Sequence, residues 1–322
     1  MAASLSIVVP VYNVEKTLGE SLRSIQCARP EEIELIFVND GSTDCTQDIL
    51  ESYQRQSVFP CKIIRQKNAG AAAARNAALD LATGIYLAFL DADDWWEEGA
   101  LDRILALTQK DADIIGWDFK SVNKRGERTI RQSAYCTPEE ALRNLMGGTM
   151  KWNLWLFAVK HKLVTDNSIR FLSGFDMGED MGFMLRVFAC AGQVEQIRDI
   201  LYCYNASNPT SISRQLNPKR RAEVTYNLQE AEKFLMASSY KDLCKAYLPH
   251  LKLYIKRPLL ISFSKEDYKQ WYDWFSEANP FALKNKALPL WTRSLQWLAS
   301  KRMWNSVNLF NFLYDRILRW KS

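Results

Sequence analysis

Along the first 120 residues, five short apolar runs (5–9, 33–38, 61–65, 85–90 and 113–117) alternate with amphipathic stretches that begin near Glu15, Thr43, Gly70 and Glu98. Runs of this length, rich in Val, Ile and Phe, read as strands, and the stretches between them read as helices. A repeated strand–helix–strand order admits few folds. It predicts an α/β chain with a mostly parallel central sheet flanked by helices. Ligands of such sheets lie beyond the carboxyl ends of the strands, so the residues just after each strand are the ones expected to carry chemistry.

Those residues are polar and specific. PVYN (10–13) ends the first strand at Pro10 and offers the Tyr12 ring as a stacking face for a nucleobase. NDGSTD (39–44) succeeds the second, where Asp40 can accept a hydrogen bond from a base N–H and Ser42 or Thr43 can cap the next helix. In QKNAGAAAARN (66–76), Gly70 frees the backbone, four alanines allow close packing and Arg75 projects a fixed positive fork. The fourth strand runs into FLDADDWW (89–96). Its Asp91 and Asp93, with Asp94 beside them, can turn hard oxygen ligands toward Mg²⁺ or Mn²⁺, a cation able to grip a diphosphate. A D-x-D string alone is equally an ordinary surface turn, and its weight comes from the neighbouring motifs. No G-x-G-x-x-G or G-x-x-x-x-G-K-[ST] stands after any strand, which excludes dinucleotide dehydrogenases and P-loop enzymes. A calcium loop starting at Asp91 fails too, since Trp96 occupies its glycine position and Asp102 its final one.

With 322 residues and 48% apolar content, the chain can bury one large core or two smaller ones. No apolar run reaches the roughly 18 residues of a membrane span and no secretory signal opens the chain, so a cytoplasmic location is expected. Seven scattered cysteines without C-x-x-C, and only His161 and His250, argue against zinc and disulfide frameworks. Charge is uneven. Residues 217–322 hold 19 Lys and Arg against 9 Asp and Glu, while residues 1–216 hold 23 against 28.

In this order and spacing, PVYN, NDGSTD, NAGAAAARN (68–76) and DADD (91–94) resemble a family 2 inverting glycosyltransferase of the GT-A fold, Rossmann-like with a C-terminal helical region. The match also takes in WNLWLF (152–157), IRF (169–171), MGEDMGF (177–183), LYCY (201–204) and TSIS (210–213), roughly residues 4–214, and is most similar to bacterial enzymes that build capsule or O-antigen units. The resemblance implies a catalytic domain over 1–216, with a nucleotide-sugar half to about residue 120 and an acceptor half beyond it. It implies nucleotide contacts from Pro10, Tyr12, Asn13, Asp40, Arg75, Asp91 and Ala92, with Asp93 as direct ligand of a Mn²⁺ or Mg²⁺ cofactor and Asp91 beside it. It further implies Asp180, with Glu179 second, as the base that deprotonates an acceptor hydroxyl, and inversion by a single displacement. The same acidic pair would also suit a helix N-terminus. Trp152, Asn153 and Trp155 are candidates to touch the acceptor, although core packing explains a tryptophan equally well; Arg214 or Arg75 is a candidate to assist the leaving group. The expected donor is a UDP-sugar carrying a hexose or N-acetylhexosamine. The expected acceptor is a polyprenyl-diphosphate-linked glycan.

Beyond residue 217 helical signals take over, with Pro218 opening a long segment and Pro249, Pro258, Pro280 and Pro289 expected to break the helices after it. The last 42 residues carry eight basic side chains against Asp315 alone, interleaved with Trp291, Trp297, Trp304 and Trp320. Val307, Phe310, Tyr314 and Ile317 recur at helical spacing, so this basic helical domain (217–322) is expected either to lie in a headgroup layer on the cytoplasmic face of the inner membrane or to dock on the catalytic domain. No nucleic-acid recognition motif accompanies it, and none is expected as partner. Two competing readings are a sugar-nucleotide-forming nucleotidyltransferase, which would need a glycine- and arginine-rich loop where PVYN stands, and a non-catalytic membrane-associated protein with a decayed site. The second is disfavoured because Asp40, Asp91, Asp93 and Asp180 are all present.

Overall fold

The computed structural model describes residues 3–207 and 216–319, with side chains through residue 313. The chain divides into two units, one of Met1–Ala141 with Trp152–Phe234 and one of Leu142–Lys151 with Leu235–Ser322.

The first unit opens with the expected alternation: β1 (Leu5–Val11), α1 (Leu18–Arg23), β2 (Ile33–Asn39), α2 (Thr46–Gln56), β3 (Cys61–Arg65), α3 (Ala71–Leu81) and β4 (Tyr86–Phe89). It continues through β5 (Trp95–Trp96), α4 (Ala100–Thr108), β6 (Ile114–Asn123), β7 (Gly126–Ile130) and the start of α5 (Pro138–Gly147), whose residues from Leu142 on belong to the second unit. Then come β8 (Phe157–Lys160), α6 (His161–Asp166), α7 (Glu179–Cys190), β9 (Val194–Asn205) and α8 (Pro218–Met236). Among the described residues the sheet runs β3-β2-β1-β4-β8-β6-β9-β5, with β7 beside β6. The four strands β3-β2-β1-β4 pair in parallel throughout. Beyond β4 the sheet is mixed: β8 is antiparallel to both β4 and β6, β9 is parallel to β6, and β5 is antiparallel to β9. Helices cover the parallel half, so β2 is buried at every position and β1 at all but Pro10, which is why both read as nearly continuous apolar runs.

One carboxylate is buried beneath that half. Glu34 in β2 accepts from Ser6 Oγ (2.6 Å), Lys62 Nζ (2.8 Å) and the Gly84 N–H (3.1 Å). Burial by itself would raise its pKa, but Lys62, Ser6 and Thr83 more than offset that and hold Glu34 at about 2.

The second unit is helical: α9 (Lys241–Ile255), α10 (Lys265–Asp273), α11 (Leu290–Ser300) and α12 (Trp304–Arg319). Pro258 and Pro280 fall in short 3₁₀ turns and Pro289 caps α11, as their expected breaking role requires. Pro249 does not break its helix. α9 runs through it, held on either side by buried Leu248, Leu251 and Leu253. Residues 142–151 join this unit through Asn285 Nδ2, which donates to Gly147 O (2.8 Å), and Lys151 Nζ, which donates to the Tyr254 hydroxyl (2.7 Å). The expected apolar stripe of α12 is also corrected. Val307 is fully buried, so it faces the core, and the outward apolar positions are Leu309, Phe312 and Leu313. The Tyr314 and Ile317 side chains lie outside the described residues. Among the described residues no helix is long and apolar enough to cross a membrane.

Candidate active site

Parallel register sets Val11, Asn39 and Arg65 side by side at the ends of β1, β2 and β3, so the loops that leave these three strands meet. The NDGSTD loop grips the PVYN loop. Asn13 N–H donates to Ser42 Oγ (3.0 Å), Thr43 N–H to Asn13 Oδ1 (2.8 Å) and Glu15 N–H to Asp44 Oδ2 (3.1 Å). Asn13 adopts φ 51°, a left-handed turn that Asn tolerates. The clasp leaves Tyr12 49% exposed beside Pro10, as a free ring would be for base stacking. Ser42 and Thr43 are thus engaged in the clasp rather than in capping α2. That helix receives its first side-chain bond from Asp44, whose Oδ1 accepts from the Thr46 N–H (3.0 Å).

Asp40 is buried and already accepts three hydrogen bonds, from Gln66 Nε2 (2.6 Å), Ala69 N–H (2.8 Å) and Gly70 N–H (2.8 Å). A carboxylate offers about four lone-pair positions, so one remains on Oδ2.

The DADD corner divides its carboxylates. Asp94 turns inward: its Oδ2 accepts from the Tyr202 hydroxyl (3.0 Å) and its Oδ1 from Asn205 N–H (2.7 Å), which pins β9 beneath the corner. Its pKa is pushed well above the usual range by burial and by Asp91 and Asp93. Asp91 and Asp93 remain part-exposed on either side of buried Ala92. Burial pushes Asp91 up to about 6; Arg75 opposes this, while Asp180 and Asp93 add to it. Mutual repulsion of this kind is what a divalent cation relieves. The hard oxygens of two part-exposed carboxylates fit Mg²⁺ or Mn²⁺, which keep several positions for phosphate oxygens and water.

Across from this corner α7 begins with Glu179 and Asp180, after Gly178 at φ 80°. Arg75, 5% exposed on α3, stands between the two acidic groups. One guanidinium nitrogen lies 2.8 Å from Glu179 Oε1 and 3.4 Å from Asp180 Oδ1, and the other lies 3.3 Å from Asp91 Oδ1. Burial and the Asp180 charge push Glu179 up to about 8, with Arg75 opposing. The structure therefore brings Arg75, Asp91, Glu179 and Asp180 into one cluster, with Asp93 close to Asp91 in the chain. It places the Arg75 guanidinium against three carboxylates, Asp91, Glu179 and Asp180.

Among the acceptor candidates, Leu154 N–H points at Asp180 Oδ2 (3.4 Å), so the 152–154 segment borders the base. Trp152 and Asn153 are partly exposed there. Trp155 is 3% exposed and stacks flat on Tyr202 with ring centroids 4.5 Å apart, which leaves no open indole face. Arg214 lies outside the described residues. Sequence reasoning did not single out Tyr202, although it falls in the LYCY segment, nor Asn76, although it ends the NAGAAAARN motif, nor Asp176, just before MGEDMGF.

A profile of the family described as Glycosyl transferase family 2 matches residues 6–178, ending one residue before Glu179. The uncharacterized glycosyltransferase EpsJ of Bacillus subtilis is 30% identical over 221 residues, covering 66% of this chain and 64% of its own length. The poly(ribitol-phosphate) beta-N-acetylglucosaminyltransferase TarS of Staphylococcus aureus is 29% identical over 205 residues, 62% of this chain and 35% of its own length. The chain spans less than two thirds of EpsJ and also of EpsH, of which it covers 63%. Among solved structures, S. aureus TarS 1–349 in complex with UDP-GlcNAc is similar with TM-score 0.72 and 21% identity, over 97% of this chain and 92% of that one. The mannosyltransferase PcManGT from Pyrobaculum calidifontis, in complex with GDP-Man and Mn²⁺, gives TM-score 0.56 and 16% identity over 97% and 86%. At such identities the structures establish the fold, which is GT-A with a helical C-terminal region, as expected.

Proposed function

The chain belongs to glycosyl transferase family 2, and on that premise we propose an inverting enzyme that moves a hexose or N-acetylhexosamine from a UDP-sugar to a hydroxyl of a lipid-linked glycan in bacterial surface polysaccharide synthesis. One observation carries this reading. The DADD corner and the Glu179–Asp180 pair, about 90 positions apart in sequence, face each other across Arg75.

The nucleotide base lies on Tyr12, with its N–H on the remaining lone pair of Asp40. Asp91 and Asp93 would hold a divalent cation, which when bound supplies charge neutralisation on the departing diphosphate. Asp180 takes the proton of the acceptor hydroxyl. The acceptor oxygen forms its bond to the anomeric carbon as the bond to the diphosphate oxygen breaks, and UDP leaves with that electron pair, so configuration inverts. Burial and the Asp180 charge push Glu179 up, and its ion pair with Arg75 (2.8 Å) holds it in place, while Asp180 is the acid bordered by the 152–154 segment.

A UDP donor draws support from the UDP-GlcNAc complex of TarS, and a mannosyltransferase with GDP-Man on the same fold makes GDP-sugars the control. Hydrolysis of a panel of sugar nucleotides with Mn²⁺ identifies the donor. Asp180→Asn is expected to lower transfer by about 10²- to 10⁴-fold while UDP affinity survives, and near-normal transfer would remove Asp180 from the mechanism.

A further inference from the structure

Ala72, Arg75 and Asn76 fall at i, i+3 and i+4 of α3 and so share one face. That face is bonded along its length to residues 171–180, roughly a hundred positions downstream. Ala72 N–H donates to Asp176 Oδ1 (2.9 Å), and Arg75 pairs with Glu179 and Asp180 and lies over the Phe171 ring (5.6 Å). Asn76 Nδ2 donates to Phe171 O (2.9 Å) while Asn76 Oδ1 accepts from Phe171 N–H (2.9 Å). This paired donor and acceptor pattern is the one a neighbouring strand would make, yet a single side-chain amide makes it.

The segment 171–178 has no regular structure of its own, so such bonds decide where α7 begins. Gly70 makes room for them. A Cβ at Gly70, where φ is +92°, would sit 1.9 Å from Asp176 Oδ2, so no side chain at this position lets the carboxylate reach the first turn of α3. On the other side, Asn227 of α8 donates to the carbonyls of Phe175 (2.9 Å) and Met177 (3.0 Å). The loop is thereby held from two elements.

We propose that Asn76 and Asp176 are positioning residues that fix Glu179 and Asp180 at a set distance from the DADD corner by latching the loop before α7 onto α3. The proposal rests on the reading of Asp180 as base. A misplacement of about 1 Å at a reacting group can cost on the order of 10²-fold in rate. Asp176→Ala and Asn76→Ala are therefore expected to lower transfer kcat by about 10- to 100-fold, with calorimetric affinity for UDP and Mn²⁺ within a few-fold of the parent. Asp176→Asn keeps an oxygen for the Ala72 N–H and is expected to restore most of the turnover. Asp176 is a part-exposed loop residue, so its variants are expected to fold, which circular dichroism melts check even if Asn76→Ala does not. Wild-type kcat in Asp176→Ala, or equal losses in kcat and UDP affinity, overturns the latch. If Asp180→Asn is inactive while Asp176→Ala is normal, only the latch fails; if Asp180→Asn is itself active, the base assignment fails first.

Discussion

At the scale of single residues, the same side chain does different work according to what surrounds it. Asp91, Asp93 and Asp94 are near neighbours in the chain, yet Asp94 is a buried strut under Tyr202 whereas Asp91 and Asp93 stay part-exposed. Asp93→Ala should accordingly abolish the Mn²⁺-dependent part of UDP binding, and calorimetry showing unchanged metal dependence would reassign the ligand. Glu34 shows the opposite use of a carboxylate, as a structural anchor. Its folded pKa, about 2, lies below the ordinary 4.5, so it binds its proton more weakly in the folded state. The resulting stability, about 3 kcal/mol, is fully present above pH 4.5 and is lost as pH falls toward 2. Urea melts between pH 5 and pH 2 should show that slope in the parent and not in Glu34→Gln (the pH range is the linkage window); equal slopes would discard the assignment.

Elements are held by side chains that reach beyond their own segment. α10 ends against Lys256, a fully buried lysine whose Nζ donates to Trp274 O (2.8 Å), Phe275 O (3.2 Å) and Asn279 Oδ1 (2.6 Å) and lies 4.1 Å from the Trp271 ring centroid. Burial pulls its pKa down to about 7, but three acceptors match the three donors of an ammonium. Lys256→Met would leave those acceptors unsatisfied and should cost about 2–4 kcal/mol of stability in denaturant melts; a loss under 1 kcal/mol (about one net hydrogen bond) would show that the cap matters little. The PVYN loop is shaped likewise by the NDGSTD loop, and the start of α7 by α3. In each case the partner lies well outside the segment it shapes, beyond the reach of local propensity.

At the scale of the whole molecule, the expected contact of the C-terminal helices with an anionic lipid surface is open to a direct test. Nine of the fourteen exposed large apolar side chains among the described residues fall between Ile261 and Leu313, and Lys284, Lys286, Lys301 and Arg302 there carry no ion pair to a described residue. The 322-residue chain should float with phosphatidylglycerol vesicles at low salt, not with phosphatidylcholine, and Leu309→Glu with Leu313→Glu should weaken this; no anionic preference would remove the membrane role. The sequence by itself determined the parallel half of the sheet and the loops that end its strands, because burial on both faces and β-α-β spacing are written in consecutive residues. It also marked Asp40, Asp91, Asp93 and Asp180 through motifs of fixed order. Only the tertiary structure decided that Asp94 and Trp155 turn inward, that Arg75 faces three carboxylates, that β8 and β9 complete a mixed sheet, and that residues 142–151 pack with the second unit. Each of these depends on contacts between distant segments, and such contacts are settled by packing and hydrogen-bond satisfaction once the chain has closed on itself rather than by any local run of residues.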